Sequence, residues 1–279
     1  MTTFSLPTDY YQQFDADPAS AVPAEGYGGW KRGTVKLSLE HTALVVMHAW
    51  DCGLPGEYPG WRRAVEYHPR AERILRDVFP PLLSAARSGG MAVMHVVGGR
   101  DYYSHLPGYQ GSSSTGGDSA ILLATPDPVS RELEAFRAAK VFTGLHNQND
   151  IEAGFARLDF APQARPLGNE CIAADGTQLA KACVERGVNH LLYVGFAINW
   201  CLLMSPGGMV DMRRHGFICS TLAEAVTAVE NRETARDELE KRQALWRISL
   251  EFGFIFHVPD LIGALLGNPS THMQGNEVR

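Results

Sequence analysis

The segment Leu191-Leu-Tyr-Val-Gly-Phe-Ala-Ile-Asn-Trp-Cys201 is the clearest indicator of the fold in this 279-residue chain. Its first four residues are an uninterrupted apolar run, which is typical of a parallel strand buried on both faces. Gly195 then predicts a turn, and Cys201 stands where a following helix would begin. Because free N–H groups at the start of a helix stabilise a thiolate, this pattern indicates a cysteine nucleophile. The alternative is a small buried apolar residue, the commoner state of an intracellular cysteine.

Apolar runs alternate with helical patterns on both sides of this segment. The predicted strands cover residues 42–47, 91–97, 191–194, 217–221 and 254–258. The predicted helices cover residues 69–86, with a break at Phe79 before two prolines, and 130–140, 175–186, 227–252 and 261–266. This order predicts an α/β fold: a three-layer α/β/α domain with a mostly parallel, Rossmann-like central sheet.

Composition limits the class of function. The chain is 45% hydrophobic and 20% charged, as expected for a globular protein, and its net charge is −6 with no basic run. This charge argues against a nucleic-acid or anionic-membrane surface. No apolar stretch approaches the roughly 20 residues that span a bilayer, and no signal-peptide pattern is visible, so a cytoplasmic protein is expected. Five cysteines without a Cys-x-x-Cys pair predict neither a disulfide framework nor a thiolate zinc site.

Three regions differ in character. Residues 1–40 carry aromatic residues and prolines without a clean period, which predicts an extended N-terminal arm lying on the domain or on a neighbouring subunit. Residues 41–267 hold the strands and helices, and 268–279 form a polar, loose C-terminal tail. The Gly- and Ser-rich loop at 98–117 is expected to be a lid or binding loop. The aromatic arm and the broad apolar content favour a homo-oligomer.

The run from Gly176-Thr-Gln-Leu through Gly195-Phe-Ala-Ile-Asn-Trp-Cys201 resembles the isochorismatase-like cysteine hydrolase superfamily, which includes nicotinamidases. Those proteins carry a Gly-Thr-x-Leu helix, an apolar strand and then Val-Gly-x-Ala-Thr-(Asp/Asn)-x-Cys. Ala43-Leu-Val-Val-Met-His48 resembles the opening strand of the family, and Gly99-Arg-Asp-Tyr102 resembles its Thr-Arg-Asp-Trp-His motif. The resemblance covers roughly residues 42–266 and implies that 41–267 form an isochorismatase-like hydrolase domain.

The family uses an Asp after the first strand, a Lys before the Gly-Thr helix and a cysteine nucleophile. The resemblance implies that Cys201 is the nucleophile and that the N–H groups of Ala197 and Cys201 form the oxyanion hole. It also implies a cis peptide between Phe196 and Ala197. The chain departs from the family pattern because His48 stands at the Asp position, and Asn169-Glu170 stand near the Lys position.

These departures give a first hypothesis, a Cys-His hydrolase. His48 would act as the general base for Cys201, with Asp51 or Glu170 orienting the imidazole and Asn169 beside them. The reaction would be hydrolysis of an amide or related C–N bond in a small molecule. An aromatic pocket that stacks a flat ligand is predicted from Trp50, Trp200, Tyr102 and Tyr103.

Two alternatives remain open at this point. Loss of both the Asp and the Lys would suit a catalytically silent protein that binds a small ligand or partner through the same pocket. No cofactor is expected, although a divalent metal held by His48, Asp51 and His105 is a further option. A nicotinamidase-type metal site is expected to be incomplete because Asp101-Tyr-Tyr103 replaces the family's Asp-x-His.

Overall fold

A computed structural model describes residues 2–111 and 123–267, so the predicted tail at 268–279 and part of the predicted loop lie outside the described residues. The strands are β1 (Thr3–Gln12), β2 (Gly29–Ser38), β3 (Thr42–Met47), β4 (Trp50–Asp51), β5 (Ala92–Val96), β6 (Asp159–Phe160), β7 (Cys171–Ala173), β8 (His190–Phe196), β9 (Ile218–Thr227) and β10 (Ile255–Phe256). The helices are α1 (Pro59–Ala64), α2 (His68–Asp77), α3 (Phe79–Ser88), α4 (Pro128–Lys140), α5 (Leu145–Ala156), α6 (Gly176–Glu185), α7 (Cys201–Met204), α8 (Met209–Arg214), α9 (Leu239–Glu251) and α10 (Val258–Leu265).

The central sheet of the described residues has eight strands in the order β2-β1-β10-β9-β8-β3-β5-β7. Neighbours from β10 to β7 run parallel, and β1 pairs antiparallel with both β2 and β10. Strand β8 lies beside β3, with Val45 opposite Tyr193. The predicted α/β fold with a mostly parallel sheet is therefore confirmed, and the carboxyl ends of β3 and β8 meet at one edge.

Side chains of β3 alternate between two apolar layers. Ala43, Val45 and Met47 pack into a core formed with α6, α8 and α9. Leu44 and Val46 pack into a second core formed with α2, α3 and α10. Burial of each such leucine or valine side chain contributes about 1.5–3 kcal/mol, so the helices are held on both faces and the domain has three layers.

Residues 3–38 form a β-hairpin in the region where the sequence predicted an extended N-terminal arm. Strands β1 and β2 pair along their length, from Thr3 opposite Ser38 to Gln12 opposite Gly29. Leu6 and Leu37 are buried and anchor the hairpin to the domain. The alternation of a half-buried strand is hidden in the sequence because most other side chains of the hairpin stay partly or fully exposed. The sheet therefore continues across the predicted domain boundary at residue 40.

The predicted helix at 227–252 begins only at Leu239, because β9 continues to Thr227 and a turn region follows. Within that region the buried carboxylate of Glu230 accepts hydrogen bonds from the backbone N–H of Glu240 at 3.1 Å and of Lys241 at 3.0 Å. A carboxylate at this end of a helix satisfies free N–H groups and favours the helix dipole. Glu230 thus acts as a distant cap, which a helical period cannot indicate.

Two local predictions are confirmed. Helix α2 ends at Asp77 and α3 begins at Phe79, directly before the two prolines that the first turn of a helix tolerates. Gly195 has φ of 127°, and a Cβ built there would collide with the carbonyl oxygen of Met47. Only glycine allows β8 to approach β3 this closely while the chain turns toward Cys201.

Candidate active site

A cavity of about 620 Å³ opens beyond the carboxyl ends of β3 and β8, on the α2 side of the sheet. Strand β3 leads into it through His48, and β8 leads into it through the turn before Cys201. Most of the other lining residues are aromatic or aliphatic. The complete set of these other lining residues is Trp50, Asp51, Cys52, Gly53, Trp61, Val65, Tyr67, His68, Ala71, Glu72, Leu75, Arg76, Phe142, Thr143, Ile151, Phe155, Ala161, Pro162, Gln163, Phe196 and Trp200.

His48 is held in an uncommon backbone conformation at the end of β3. Its φ is +50°, in the left-handed region that side chains with a Cβ rarely occupy. Its N–H donates to the carbonyl of Val96 at 3.2 Å, and its ring stacks on Trp50 with centroids 4.6 Å apart and planes 17° apart. Such a backbone costs on the order of 1–3 kcal/mol and is found mainly where function requires it.

The imidazole of His48 is neutral at pH 7. Burial lowers its pKa to about 4, against a smaller opposing effect of a hydrogen bond with the backbone of Val97. Nε2 lies against Gly98, where a Cβ would come within 3.1 Å of it. Nδ1 is buried and has no hydrogen-bond partner among the described residues. Nδ1 is therefore the nitrogen available to accept a proton or to bind a ligand.

Cys201 is partly exposed at the first position of α7. The peptide between Phe196 and Ala197 is cis, as the resemblance implied. Neither Ala197 nor Cys201 donates its N–H to another backbone group of the described residues. The Asn199 side chain braces the turn, since it donates to the Val229 carbonyl at 2.8 Å and accepts from the Val229 N–H at 2.9 Å. The turn thus holds a partly exposed thiol and two N–H groups that have no backbone acceptor among the described residues.

The far wall of the cavity comes from the start of α2, a part of the site to which no sequence motif pointed. His68 is 4% exposed, and its Nδ1 has no hydrogen-bond partner among the described residues. Burial and the nearby cation of Arg62 lower the pKa of His68 to about 4. Burial, with smaller contributions from the nearby Cys201 and Cys52 sulfurs, raises the pKa of the Tyr67 phenol. Both side chains are therefore uncharged at pH 7.

Cys52 is a second thiol of the cavity. Burial, together with the charge of Asp51, raises its pKa to about 12, so it remains a protonated thiol at neutral pH. Its Sγ lies 3.9 Å from the carbonyl oxygen of Trp50. The thiolate is the nucleophilic form of cysteine, so Cys52 is a poor candidate for the nucleophile.

The structure brings only some of the predicted site residues together. His48, Trp50, Asp51, Trp200 and Cys201 all line the cavity. The role predicted for Asp51 in orienting His48 is not seen, because Asp51 Oδ1 accepts instead from the N–H of Gly53 at 2.9 Å. Among the described residues no carboxylate contacts the free nitrogen of His48.

Glu170 and Asn169 lie outside the cavity. Glu170 accepts hydrogen bonds from Arg87 at 2.7 and 2.9 Å and lies 3.0 Å from Nε2 of His95. Burial opposes ionisation, but the bonds from His95 and Arg87 lower the pKa of Glu170 to about 2. Asn169 lines a separate polar pocket of about 310 Å³ near Cys171. Sequence position alone suggested both residues, whereas this charge cluster fixes Glu170 beneath β5.

Tyr102 and Tyr103 also lie outside the cavity, contrary to their predicted place in the substrate pocket. They pack on a small cluster formed by Val97, Phe160 and Ile172. Tyr102 supports the cavity indirectly, because its hydroxyl accepts a hydrogen bond from Nε1 of Trp50 at 2.8 Å. It therefore holds the ring on which His48 stacks.

The described residues contain no group of three or more His, Cys, Asp or Glu side chains that could hold a metal ion, and His48, Asp51 and His105 do not form one. The same part of the chain has no helix that is both long and apolar enough to cross a bilayer.

No family model matches the chain, and no curated protein matches it. Several solved structures are similar. A cysteine hydrolase from Pseudomonas syringae pv. phaseolicola 1448A is 15% identical, with 83% of this chain and 95% of that chain covered and a TM-score of 0.47. An isochorismatase-like hydrolase from Alkaliphilus metalliredigens is 14% identical, covering 80% and 98%, with a TM-score of 0.44. A nicotinamidase from Acinetobacter baumanii is 16% identical, covering 80% and 98%, with a TM-score of 0.43.

Proposed function

We propose that this chain is a cysteine-dependent hydrolase of an amide or related C–N bond in a small molecule, with Cys201 as nucleophile and His48 as general base. One observation carries the proposal. Cys201 and His48 line the same cavity, and the buried Nδ1 of His48 has no partner among the described residues. A general-base imidazole that reaches a cysteine thiol is a known way to produce a reactive thiolate.

The reaction would proceed by acyl transfer to water. Nδ1 of His48 takes the thiol proton of Cys201, and the sulfur attacks the amide carbonyl carbon. The N–H groups of Ala197 and Cys201 donate to the oxygen that becomes negative. The C–N bond then breaks while the imidazolium gives its proton to the leaving nitrogen. Water, deprotonated by His48, attacks the thioester, which releases the acid and returns the thiol.

The test combines alkylation with turnover. We expect iodoacetamide to modify Cys201 before the other thiols, and ammonia release from a panel of small primary amides to be abolished in Cys201→Ala. His48→Asn should slow both processes by about 10²-fold or more, the usual contribution of a general base. Asparagine suits this position because it tolerates the left-handed backbone of His48.

Cys171→Ala serves as the matched control, since Cys171 is a partly exposed thiol outside the large cavity. It should leave alkylation of Cys201 and turnover unchanged. The proposal fails if Cys201→Ala and His48→Asn both retain the wild-type rates of alkylation and amide hydrolysis.

A catalytically silent binding protein is the second candidate, and one observation favours it. No carboxylate of the described residues contacts Nδ1 of His48, and burial lowers the pKa of the imidazole to about 4, which makes it a weak base. On this alternative the cavity binds a ligand without chemistry at Cys201. Slow alkylation spread evenly over the partly exposed thiols would support it.

We also propose that this chain forms a homo-oligomer through α4. No residue of this helix is buried, and Val129, Leu133 and Phe136 are 63%, 61% and 63% exposed along one face. In an antiparallel pair of two copies, Leu133 would lie against Phe136 of the second copy. Glu132 would then approach the oppositely charged Arg137 of that copy. A second copy of this chain therefore matches the surface in apolar character and in charge.

Sedimentation velocity tests this association. Leu133→Glu should convert the oligomer to a smaller species, whereas Leu266→Ser, at a leucine that is 53% exposed elsewhere, should leave it unchanged. A monomeric wild type, or an oligomer unaffected by Leu133→Glu, would exclude α4 as the interface.

A further inference from the structure

A continuous row of aromatic rings connects the two histidines of the cavity. His48 stacks on Trp50 at 4.6 Å, Trp50 meets Phe155 at 5.8 Å, Phe155 meets Trp61 at 5.1 Å, and Trp61 meets His68 at 5.3 Å. All five side chains line the cavity. The row is therefore an apolar wall with an imidazole at each end, and Cys201 belongs to the His48 end in the proposed function.

The two imidazoles share an uncommon feature. His48 is 8% exposed and His68 is 4% exposed, yet Nδ1 of each has no hydrogen-bond partner among the described residues. A buried polar atom without a partner costs about 1–3 kcal/mol, and proteins leave few of them. In the proposed mechanism the free nitrogen of His48 accepts and donates protons, whereas the free nitrogen of His68 takes part in no step. A ligand that reaches His68 would satisfy it.

The charges around the cavity disfavour an anionic partner for His68. Nη2 of Arg62, the cation beside it, donates to Glu72 at 2.6 Å and to the carbonyl of Gly53 at 2.9 Å, while the buried Nε of Arg62 has no partner among the described residues. The exposed lining cation, Arg76, is bonded to Asp77 at 2.8 Å. Each of these cations is paired with a carboxylate, and Asp51 adds a further negative charge that repels an anion. We therefore expect the ligand group at His68 to be uncharged.

We infer that His68 is a specificity-determining residue. It hydrogen-bonds an uncharged polar substituent, such as a hydroxyl, at the end of a flat substrate whose reacting amide lies at Cys201 and His48. The position of the amide rests on the proposed function, whereas binding at His68 does not require turnover. Aromatic side chains of the wall hold the body of the ligand, and His68 distinguishes ligands of equal size by hydrogen bonding.

Binding is measured in Cys201→Ala, which separates recognition from hydrolysis. The probes are 3- and 4-hydroxybenzamide, the equally large 3- and 4-methylbenzamides, and 4-hydroxybenzoate as the anionic comparison. Three of the five tryptophans, Trp50, Trp61 and Trp200, line the cavity and give a fluorescence signal. We expect one hydroxybenzamide to bind about 3- to 10-fold more tightly than its methyl counterpart, the range for one neutral hydrogen bond. The benzoate should bind more weakly than 4-hydroxybenzamide.

Two substitutions then assign the preference. His68→Phe should abolish the difference between the hydroxyl and methyl probes. His68→Asn, whose amide can reach the position of Nδ1, should retain part of it. The inference is overturned if Cys201→Ala binds the hydroxyl and methyl probes equally, if His68→Phe keeps the preference, or if the benzoate binds best. A protein that binds as expected but hydrolyses no amide would refute the proposed function and leave the assignment of His68 intact.

Discussion

The imidazole of His257 lies between the carboxylates of Asp9 and Glu224. Asp9 belongs to the N-terminal hairpin and Glu224 to β9, so these contacts join the hairpin to the rest of the sheet. Nδ1 lies 2.6 Å from Glu224 Oε1, and Nε2 lies 2.8 Å from Asp9 Oδ2. The hydrogen bond to Glu224 raises the pKa of His257 from 6.5 to about 9. Burial opposes this increase, and the hydrogen bond to Asp9 adds to it. Folding therefore favours the protonated imidazole.

This pKa fixes the sign and size of a stability effect. Between pH 6.5 and about 9 the folded protein binds a proton that the unfolded chain has lost, so the free energy of unfolding falls as the pH rises. The full contribution is present below pH 6.5 and is lost above about pH 9. The pKa difference corresponds to about 3 kcal/mol, which screening at the partly exposed Glu224 reduces to roughly 2 kcal/mol.

Urea unfolding of the wild type and of His257→Gln from pH 5.5 to 10 measures this contribution. The wild type should exceed the variant by a constant amount up to pH 6.5, and the excess should shrink by roughly 2 kcal/mol by pH 9. His215→Gln, at an exposed histidine, is the matched control and should run parallel to the wild type. An excess that is independent of pH, or that grows toward pH 9, would refute the assignment of a protonated His257.

Three further substitutions test the fold around the site. Gly195→Ala should lower the free energy of unfolding by more than about 3 kcal/mol, because the new Cβ meets the backbone of β3, and calorimetry would detect this; a stable variant would contradict the close approach of the strands. Phe79→Ala should lower the free energy of unfolding in urea by about 3–5 kcal/mol, because the ring is fully buried against another phenylalanine. Phe14 is 57% exposed, so Phe14→Ala should lower it little. Glu230→Gln should cost about 1–2 kcal/mol and increase amide exchange at the start of α9, while the exposed Glu233→Gln should not; equal effects would argue against the cap.

The sequence was sufficient for most of the parallel part of the sheet. Residues 42–47 and 191–194 are continuous apolar runs bounded by turn signals, and their side chains fill both apolar layers. The hairpin at 3–38 could not be recognised in the same way, because it buries few side chains and its pairing with β10 joins residues far apart in the chain. Hydrophobic periodicity is visible only where one face of an element is buried, and few side chains of this hairpin are buried.

The candidate site was predicted only where strand ends determine it. His48 and Cys201 follow neighbouring parallel strands, so topology brings both to one edge of the sheet. Glu170 was chosen by its position in the chain, but its bonds to Arg87 depend on packing that the sequence does not reveal. His68 follows a loop, and the orientation of α2 places it in the cavity. The only sequence signal at this position is the polar aromatic pair Tyr67-His68 before a proline.

The outer strand of the hairpin affects the solubility of the protein. Strand β2 forms one edge of the eight-stranded sheet, where unpaired N–H and C=O groups are a template for aggregation. Lys31, Arg32 and Lys36 are exposed along this strand and oppose the addition of another strand. Replacing the two lysines by threonine would leave the hairpin in register but remove this protection, and concentrated samples should then form fibrils or precipitate.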